Sequence, residues 1–256
     1  MLFRSGAIHL HGVHSYAHLR KCHFSRNRVT SGDGGGGGGA ISVSNNAVLQ
    51  ILDTTANGER VSSRGSGGFL MADFAGKILL QNVTIENAFS GGGGGIAILA
   101  SKVELDTVRI EGCSADKRGA GAILLDEGTE AHLFGNCQLI DNVVTNHEFG
   151  GHIRVSASSL EVHGLEDSTY ITKWSPPSFM PSSFTTRMTS GVTRMTRGSA
   201  FSGGALFCMA AAAPSLGILL GKGTVIQISS AIGGQGGGAI ASTLCDISLN
   251  QVTLEN

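Results

Sequence analysis

The chain has 256 residues, with 18 Lys or Arg and 19 Asp or Glu, and its formal net charge at pH 7 is −1. This balance argues against a nucleic-acid-binding protein that works through a basic surface. Hydrophobic residues make up 41% of the chain and aromatic residues only 5%, a composition that favours a continuous core of aliphatic side chains. The length suits one or two ordinary domains or one elongated repeat array.

A glycine run that passes directly into a short alternating strand recurs eight times. We call the last glycine of each copy the repeat glycine: Gly6, Gly39, Gly68, Gly94, Gly121, Gly151, Gly204 and Gly238. Two residues after each stands an aliphatic side chain, and these eight form the predicted inward ladder: Ile8, Ile41, Leu70, Ile96, Ile123, Ile153, Leu206 and Ile240. Four residues after the repeat glycine, seven of the eight copies have an apolar residue or cysteine. A spacing of two is the period of a strand with one buried face.

Successive repeat glycines are separated by roughly 26–34 residues, a range typical of solenoids, whereas propeller blades need about 40–45 residues. Only the interval from Gly151 to Gly204 is longer, and we interpret it as two steps with one marker lost. Helical repeats are disfavoured because 39 of the 256 residues are glycine. The period predicts an all-β, right-handed parallel β-helix of about eight to nine coils, each of roughly 26–30 residues.

The second half of each repeat reads as strand, corner, strand and turn, as in residues 78–87, 103–112 and 247–256. Asn87, Asn142 and Asn256 are predicted to fall at matching corners, because asparagine tolerates left-handed backbone angles.

Two motifs carry a family resemblance. Residues 38–41, 203–206 and 237–240 read Gly-Gly-Ala-Ile or Gly-Gly-Ala-Leu, Phe24-Ser25-Arg26-Asn27 precedes the first of them, and residues 139–142 nearly match it. They resemble the GGA[ILV] and FxxN motifs of the chlamydial polymorphic outer-membrane proteins, over nearly the whole chain except about residues 166–200. Similar repeats also occur in large β-helix proteins of protists. The resemblance implies a surface-exposed or secreted β-helical module involved in adhesion.

From the N-terminus onward, no apolar segment with a cleavage site is found, so no signal peptide is expected. The repeat pattern is cut at both ends, which predicts a fragment of a longer protein. Residues 1–165 are predicted as β-helix repeats, residues 166–200 as a Pro/Ser/Thr-rich insertion, and residues 201–256 as continuing repeats.

Five of the nine histidines lie within residues 8–24: His9, His11, His14, His18 and His23. Imidazole is a common metal ligand, but no Cys or acidic partner stands at a recognisable ligand spacing, so we interpret them as solvent-facing residues and predict no metal site. The glycine runs at 34–39 and 91–95 open strands, whereas phosphate-binding loops open helices. No nucleotide or other cofactor is therefore predicted.

Residues 166–200 hold three of the four prolines and the single tryptophan, and therefore break the strand pattern. Trp174 and Tyr170 are candidates for a sugar-stacking platform; a tolerated insertion or a mispredicted exon are the alternatives. Residues 205–221 are uncharged but short and interrupted by Pro214, so no transmembrane span is predicted.

No Cys-x-x-Cys pair occurs among the five cysteines, which excludes a zinc ribbon or a thioredoxin-like site. Cys113 and Cys137 are separated by nearly one coil, so stacking would bring them within disulfide distance. Cys208 is expected in the core. Asn82-Val83-Thr84 is a lone glycosylation sequon, expected on a strand.

Two functional classes fit these observations. The first is a non-catalytic surface module with an adhesive or a structural role. As an adhesive module it would bind a cell-surface or extracellular glycan or protein through outward residues such as Ser42, Ser44, Arg154 and Glu161. The second is a carbohydrate-active enzyme, because pectin-cleaving lyases and hydrolases share the solenoid.

For the enzyme, the candidate residues are Glu104, Asp106, Arg109 and His163-Gly164. Alternatively, Glu104 and Glu86 lie on adjacent coils and form part of a solvated row of charges. The Asn-x-Asp and Asp-Asp pairs of those enzyme families are absent, so no catalytic residue is assigned.

Overall fold

The computed structural model describes residues 6–29, 37–61, 66–116, 119–145, 149–164, 191–200, 202–209, 217–227, 229–231 and 237–255. In these ranges the structure is all-β. The strands are β1 (Ile8–His11), β2 (Tyr16–Arg20), β3 (His23–Ser25), β4 (Arg28–Val29), β5 (Ile41–Ser44), β6 (Val48–Asn57), β7 (Arg60–Val61), β8 (Leu70–Asp73), β9 (Lys77–Glu86), β10 (Phe89–Ser90), β11 (Ile96–Leu99), β12 (Lys102–Asp106), β13 (Arg109–Glu111), β14 (Ser114–Ala115), β15 (Ile123–Asp126), β16 (Glu130–Phe134), β17 (Gln138–Ile140), β18 (Val143–Val144), β19 (Ile153–Ser156), β20 (Ser159–Val162), β21 (Arg194–Thr196), β22 (Ser199–Ala200), β23 (Leu206–Met209), β24 (Gly217–Leu220), β25 (Val225–Gln227), β26 (Ser230–Ala231), β27 (Ile240–Thr243), β28 (Asp246–Leu249) and β29 (Thr253–Glu255).

The strands form three parallel sheets that run along one solenoid. The first sheet has the order β1-β5-β8-β11-β15-β19-β23-β27, and a sheet of two-residue strands runs from β4 to β26. The third sheet has two arms, and the ten-residue strands β6 and β9 pass through both. The predicted parallel β-helix is confirmed, with about seven turns, slightly fewer than the predicted eight to nine.

The first sheet sets the register of the whole stack. The aliphatic residues two places after the repeat glycines are direct partners in adjacent strands, from Ile8↔Ile41 to Leu206↔Ile240. The six residues of this ladder from Ile41 to Leu206, both included, are at most 1% exposed. At about 25 cal/mol per Å² of buried apolar surface, this column is a main source of the stability of the stack.

The repeat glycines lie where adjacent coils touch. A Cβ atom added to Gly39, Gly68, Gly94, Gly121, Gly151 or Gly204 would overlap the carbonyl oxygen of the next repeat glycine. Glycine is needed there for close approach of backbone to backbone. Gly151 and Gly204 are neighbours in this column, so the long interval between them is one coil that carries an insertion, and the prediction of a lost marker was wrong.

Residues 194–196 and 199–200 form β21 and β22, although they fall in the range predicted as an insertion. They belong to a regular coil, since β21 pairs with β17 and β25. The rest of that range up to residue 190, including Trp174 and Tyr170, lies outside the described residues. So do residues 210–216, while 206–209 and 217–220 are strands. No helix long and apolar enough to cross a membrane occurs in the ranges that the structure describes.

Most of the described residues with positive φ stack in columns at three corners of the coil. The corner after the first sheet holds Gly12, Asn45, Phe74, Ala100, Glu127, Ala157 and Leu244; the corner between the two arms holds Lys21, Asp53, Asn82, Thr107, Gly135 and Gln251; the corner after the second arm holds Arg26, Gly58, Asn87, Gly112, Asp141 and Arg197. The sequon residue Asn82 therefore sits at a bend within β9, where it is exposed and donates from Nδ2 to Asp53 Oδ1 at 3.0 Å.

Asn142 has a different role from Asn87, so the prediction that they share one corner position was wrong by one residue. Asn87 aligns with Asp141 at positive φ. Asn142 follows that corner and is fully buried. Its Oδ1 accepts from the backbone N–H of Cys113 at 3.0 Å, and its Nδ2 donates to the Ile110 carbonyl at 3.0 Å. Asn142 therefore ties its own coil to the preceding one.

The disulfide joins Cys208 to Cys245, with a Cα–Cα distance of 5.9 Å. Cys208 is 1% exposed and packs in the core, as expected. The predicted Cys113–Cys137 pair is not formed, and both thiols are free and buried. Burial raises the pKa of both thiols to about 12.

The local length of the coil explains why that pair does not form. Ile110 has Leu139 as its register partner, so Cys113 comes level with Asn142, to which its backbone N–H donates. Cys137 precedes Leu139 and therefore lies at a different point of the coil from Cys113.

Candidate functional site

The candidate site lies on the outer face of the first arm of the third sheet. Side chains alternate along each strand, so that Leu133 of β16 and Leu160 of β20 point into the core. His132 and Glu161 face outward and are direct register partners in these two strands. The regular alternation of the strands therefore brings polar groups from separate coils to one surface.

A groove of about 620 Å³ crosses this face over the four strands β16, β20, β24 and β28. The lining of the groove combines charged and polar side chains from three of these strands with the exposed apolar side chain of Leu219. The polar lining includes Glu130, His132, Glu161, Asp246 and Ser248. The groove therefore offers hydrogen-bond acceptors beside an apolar surface.

Three side chains at one end of the groove converge. His132 Nδ1 lies 3.1 Å from His163 Nε2 and 3.3 Å from Glu161 Oε2. His163 Nε2 lies 3.8 Å from the same Glu161 oxygen. The His163 side chain is 5% exposed, that of His132 18% and that of Glu161 35%, so the cluster opens to solvent mainly through the glutamate. These three residues are the group on this face that could hold a metal ion.

Neighbouring residues fix the two imidazole rings. Glu130 Oε1 lies 3.2 Å from His132 Nε2, and Glu130 Oε2 lies 2.6 Å from Lys102 Nζ. The Phe134 ring stacks on the His163 ring with centroids 4.2 Å apart and an interplanar angle of 5°. The rings are thus held by contacts from β12 and β16.

Charge compensation around the site is local. The Lys102 ammonium, and after it His132, holds the pKa of Glu130 below its usual range. Lys77 Nζ lies 2.7 Å from Glu104 Oε1 one coil further along the sheet. Glu130 is therefore held as a carboxylate and is not prepared to donate a proton.

The other residues that the sequence singled out fall in several places. Ser42, Ser44 and Arg154 lie on the first sheet and are buried, whereas Glu161 lines the groove. Glu104 is the partner of His132, while Glu86 is the partner of Glu111, so the Glu104–Glu86 row is not formed.

Asp106 accepts from Gln81 Nε2 at 2.8 Å, and Arg109 pairs with Glu111 on the other arm. The His9 and His11 rings stack at 5.9 Å, and His11 Nδ1 lies 3.0 Å from Ser44 Oγ. No acidic side chain of the described residues joins these two histidines in a three-ligand group.

His163 and Glu161 are separate candidates in the sequence, and no motif there links either of them to His132, which the structure brings into contact with both. The local coil length is the signal that could have predicted this contact. The number of residues from His132 to Glu161 is the same as that from Ile110 to Leu139, which are also register partners. His163 follows Glu161 by two, which places both on the same face of one strand.

Known proteins give no independent assignment. No family model matches the chain, and no curated protein and no solved structure gives a match. A function for this chain is therefore inferred from the geometry of the groove and from the repeat motifs.

Proposed function

We propose that the chain is a non-catalytic, surface-exposed or secreted β-helical module that binds an extracellular glycan along this groove. The observation that carries the proposal is the groove itself, which combines carboxylates with the apolar Leu219 over four successive coils. Coils lie about 4.8 Å apart, so the four strands span about 14 Å along the axis. An extended ligand of repeating units suits a surface of repeating coils.

The chemistry of the lining favours a ligand rich in hydroxyl groups. The Glu161 and Asp246 carboxylates accept hydrogen bonds from hydroxyls, and such charge-assisted bonds are stronger than neutral ones. The Leu219 side chain, 40% exposed, offers an apolar surface to the C–H face of a sugar ring. Adhesion would then arise from several weak contacts, whose avidity grows with the number of engaged coils.

A carbohydrate-active enzyme is the second candidate, because Glu130 and Glu161 contact the two ring nitrogens of the same histidine. Glycoside hydrolysis commonly uses two carboxyl groups, one of which must donate a proton. The lowered pKa of Glu130 disfavours that role. The location at the cell surface or outside the cell is part of the proposal and is supported by the resemblance of the repeats.

Substitutions in the groove test the binding proposal. We expect Leu219→Glu and Glu161→Gln each to weaken binding of the purified chain to its glycan by about 10-fold or more, since each removes a contact of about 1.5 kcal/mol. The measurement is a titration against the glycans that a polysaccharide panel selects, with EDTA present so that metal binding plays no part.

The matched control is Phe74→Glu. Phe74 is 58% exposed at a corner outside the groove, and Glu127 occupies the equivalent corner with the same backbone conformation. Binding by this variant should stay within about twofold of that by the original chain. Absence of binding to the whole panel, or an equal loss in the control, would contradict the proposal. Release of sugar products that depends on Glu161 would favour the enzyme instead.

A further inference from the structure

We propose that His132, Glu161 and His163 form a zinc site on the outer face of the third sheet. The site shares Glu161 with the lining of the groove, but the binding of zinc does not depend on the proposed binding of a glycan. It uses one ligand atom from each residue: His132 Nδ1, Glu161 Oε2 and His163 Nε2.

The spacing of the three atoms fits the ion. Zinc binds nitrogen and carboxylate oxygen at about 2.0–2.2 Å in tetrahedral geometry, which places the ligand atoms about 3.3–3.5 Å from one another. The three separations here are 3.1, 3.3 and 3.8 Å. A single point about 2 Å from all three atoms therefore exists, and zinc occupies it with adjustments of a few tenths of an ångström.

The ligand types select among metals. Two imidazoles and one carboxylate are a known ligand set for zinc with one open position. Calcium and magnesium prefer sites made of oxygen atoms, so two nitrogen ligands disfavour them. Glu161 is the most exposed of the three and borders the groove, which leaves the fourth position on the solvent side for a water molecule.

The protein holds the ligands in place before the metal arrives. With a proton on Nε2, His132 donates to Glu130 Oε1 at 3.2 Å and presents the Nδ1 lone pair to the site. Carboxylates that accept from a ligating histidine in this way orient the ring and strengthen it as a ligand. Without metal, one of the two facing nitrogens must donate to the other at 3.1 Å. Zinc replaces that hydrogen bond once His163 carries its proton on Nδ1.

The charge around the site also favours a dication. On this face of the sheet, the three carboxylates of Glu104, Glu130 and Glu161 outnumber the two ammonium groups of Lys77 and Lys102. Among the described residues, Glu104 Oε2 is buried and has no hydrogen-bond partner. An excess of negative charge at a partly buried surface attracts a cation more strongly than it would in open water.

The test is a calorimetric titration of the metal-stripped, tag-free chain with zinc chloride. The visible spectrum of the cobalt(II) form reports the coordination geometry. We expect one equivalent to bind at this site and the cobalt spectrum to show tetrahedral coordination. His132→Ala and His163→Gln should each weaken binding by about 100-fold or more, and Glu130→Gln, which acts through His132, by about 10-fold. Circular dichroism of each variant checks that it is folded.

The N-terminal histidines provide the matched controls. His23 Nδ1 bonds Thr55 Oγ1 on the other arm of the sheet, and His9 and His11 lie on the first sheet. His23→Ala and the double variant His9→Asn/His11→Asn should still bind one equivalent of zinc and should show the same cobalt(II) spectrum. If His163→Gln fails to fold, Glu161→Gln replaces it, because Glu161 is 35% exposed.

Two results would overturn the proposal. The first is the absence of stoichiometric zinc binding by the folded chain. The second is binding that persists in His132→Ala and disappears in the His9/His11 variant. Since the glycan titration is run in EDTA, failure of the zinc site leaves the proposed glycan binding testable, and the reverse also holds.

Discussion

Replacing Gly94 by alanine is expected to lower the free energy of unfolding by about 3 kcal/mol or more, the upper range for overpacking. The added Cβ would overlap the Gly121 carbonyl oxygen and lie 2.8 Å from the Ser114 amide nitrogen. Both neighbours are backbone atoms, so no side chain can turn away to make room. The strain would fall on hydrogen bonds that join adjacent coils, such as that from Gly94 N to the Ala120 carbonyl at 2.8 Å.

Urea denaturation followed by circular dichroism measures this loss, and Gly128→Ala is the matched control. Gly128 has a φ of 82°, but a Cβ there would have no atom within 4 Å. Its substitution therefore costs only the backbone conformation, about 1–2 kcal/mol. A Gly94 variant that is no less stable than the Gly128 variant would show that the repeat glycines are not in close contact between coils.

A loss of stability on acidification from pH 6.5 to 5 is the second large effect, and it depends on His152. Burial lowers the pKa of this histidine from 6.5 to about 3, since the charged ring loses its hydration. Asn142 Nδ2 lies 3.1 Å from His152 Nδ1 and donates to the neutral ring. In this pH range the unfolded chain takes up a proton that the folded chain does not.

The sign follows from that difference. The contribution of His152 is fully present above pH 6.5 and is lost as the pH falls toward 3, with a limiting slope of about 1.4 kcal/mol per pH unit. Between pH 6.5 and 5 the expected loss is about 1.5–2 kcal/mol.

His152→Asn should remove this pH dependence, and His23→Ala, at an exposed position, should retain it. Taking the difference between each variant and the original chain cancels the carboxylates that titrate in both. Equal slopes in the original chain and in His152→Asn would contradict the assignment.

The sequence was sufficient for the elements that repeat with the coil. Glycines that approach the next coil and the aliphatic ladder from Ile8 to Ile240 are chemically required at each turn, and their pattern is visible in one dimension. The conformations at the corners of the coil were harder to predict. Phe74, Ala100 and Leu244 adopt positive φ although none is a residue type that favours it. Their conformation is imposed by the strands on either side, so no local signal marks them.

The candidate site could not be predicted for a related reason. His132 meets Glu161 only because the step between them matches the local coil, and neighbouring coils differ in length. The same uncertainty explains why the predicted Cys113–Cys137 pair is wrong: these cysteines are separated by nearly an average coil, but the local coil is longer. Interaction between coils depends on register, which a single sequence specifies only where its strongest markers recur.

A distance measured between spin labels at Val13 and Leu244 tests the stacked solenoid most directly. Val13 and Leu244 are 62% and 85% exposed, and lie next to or within the corner column that runs from Gly12 to Leu244. Among the native residues, Cys22 is replaced by serine, so that the buried thiols of Cys113 and Cys137 are the only native free cysteines left. Seven coil spacings of about 4.8 Å predict a distance peak near about 34 Å. A peak below about 20 Å, or a broad distribution with no peak, would contradict the stacking of the coils.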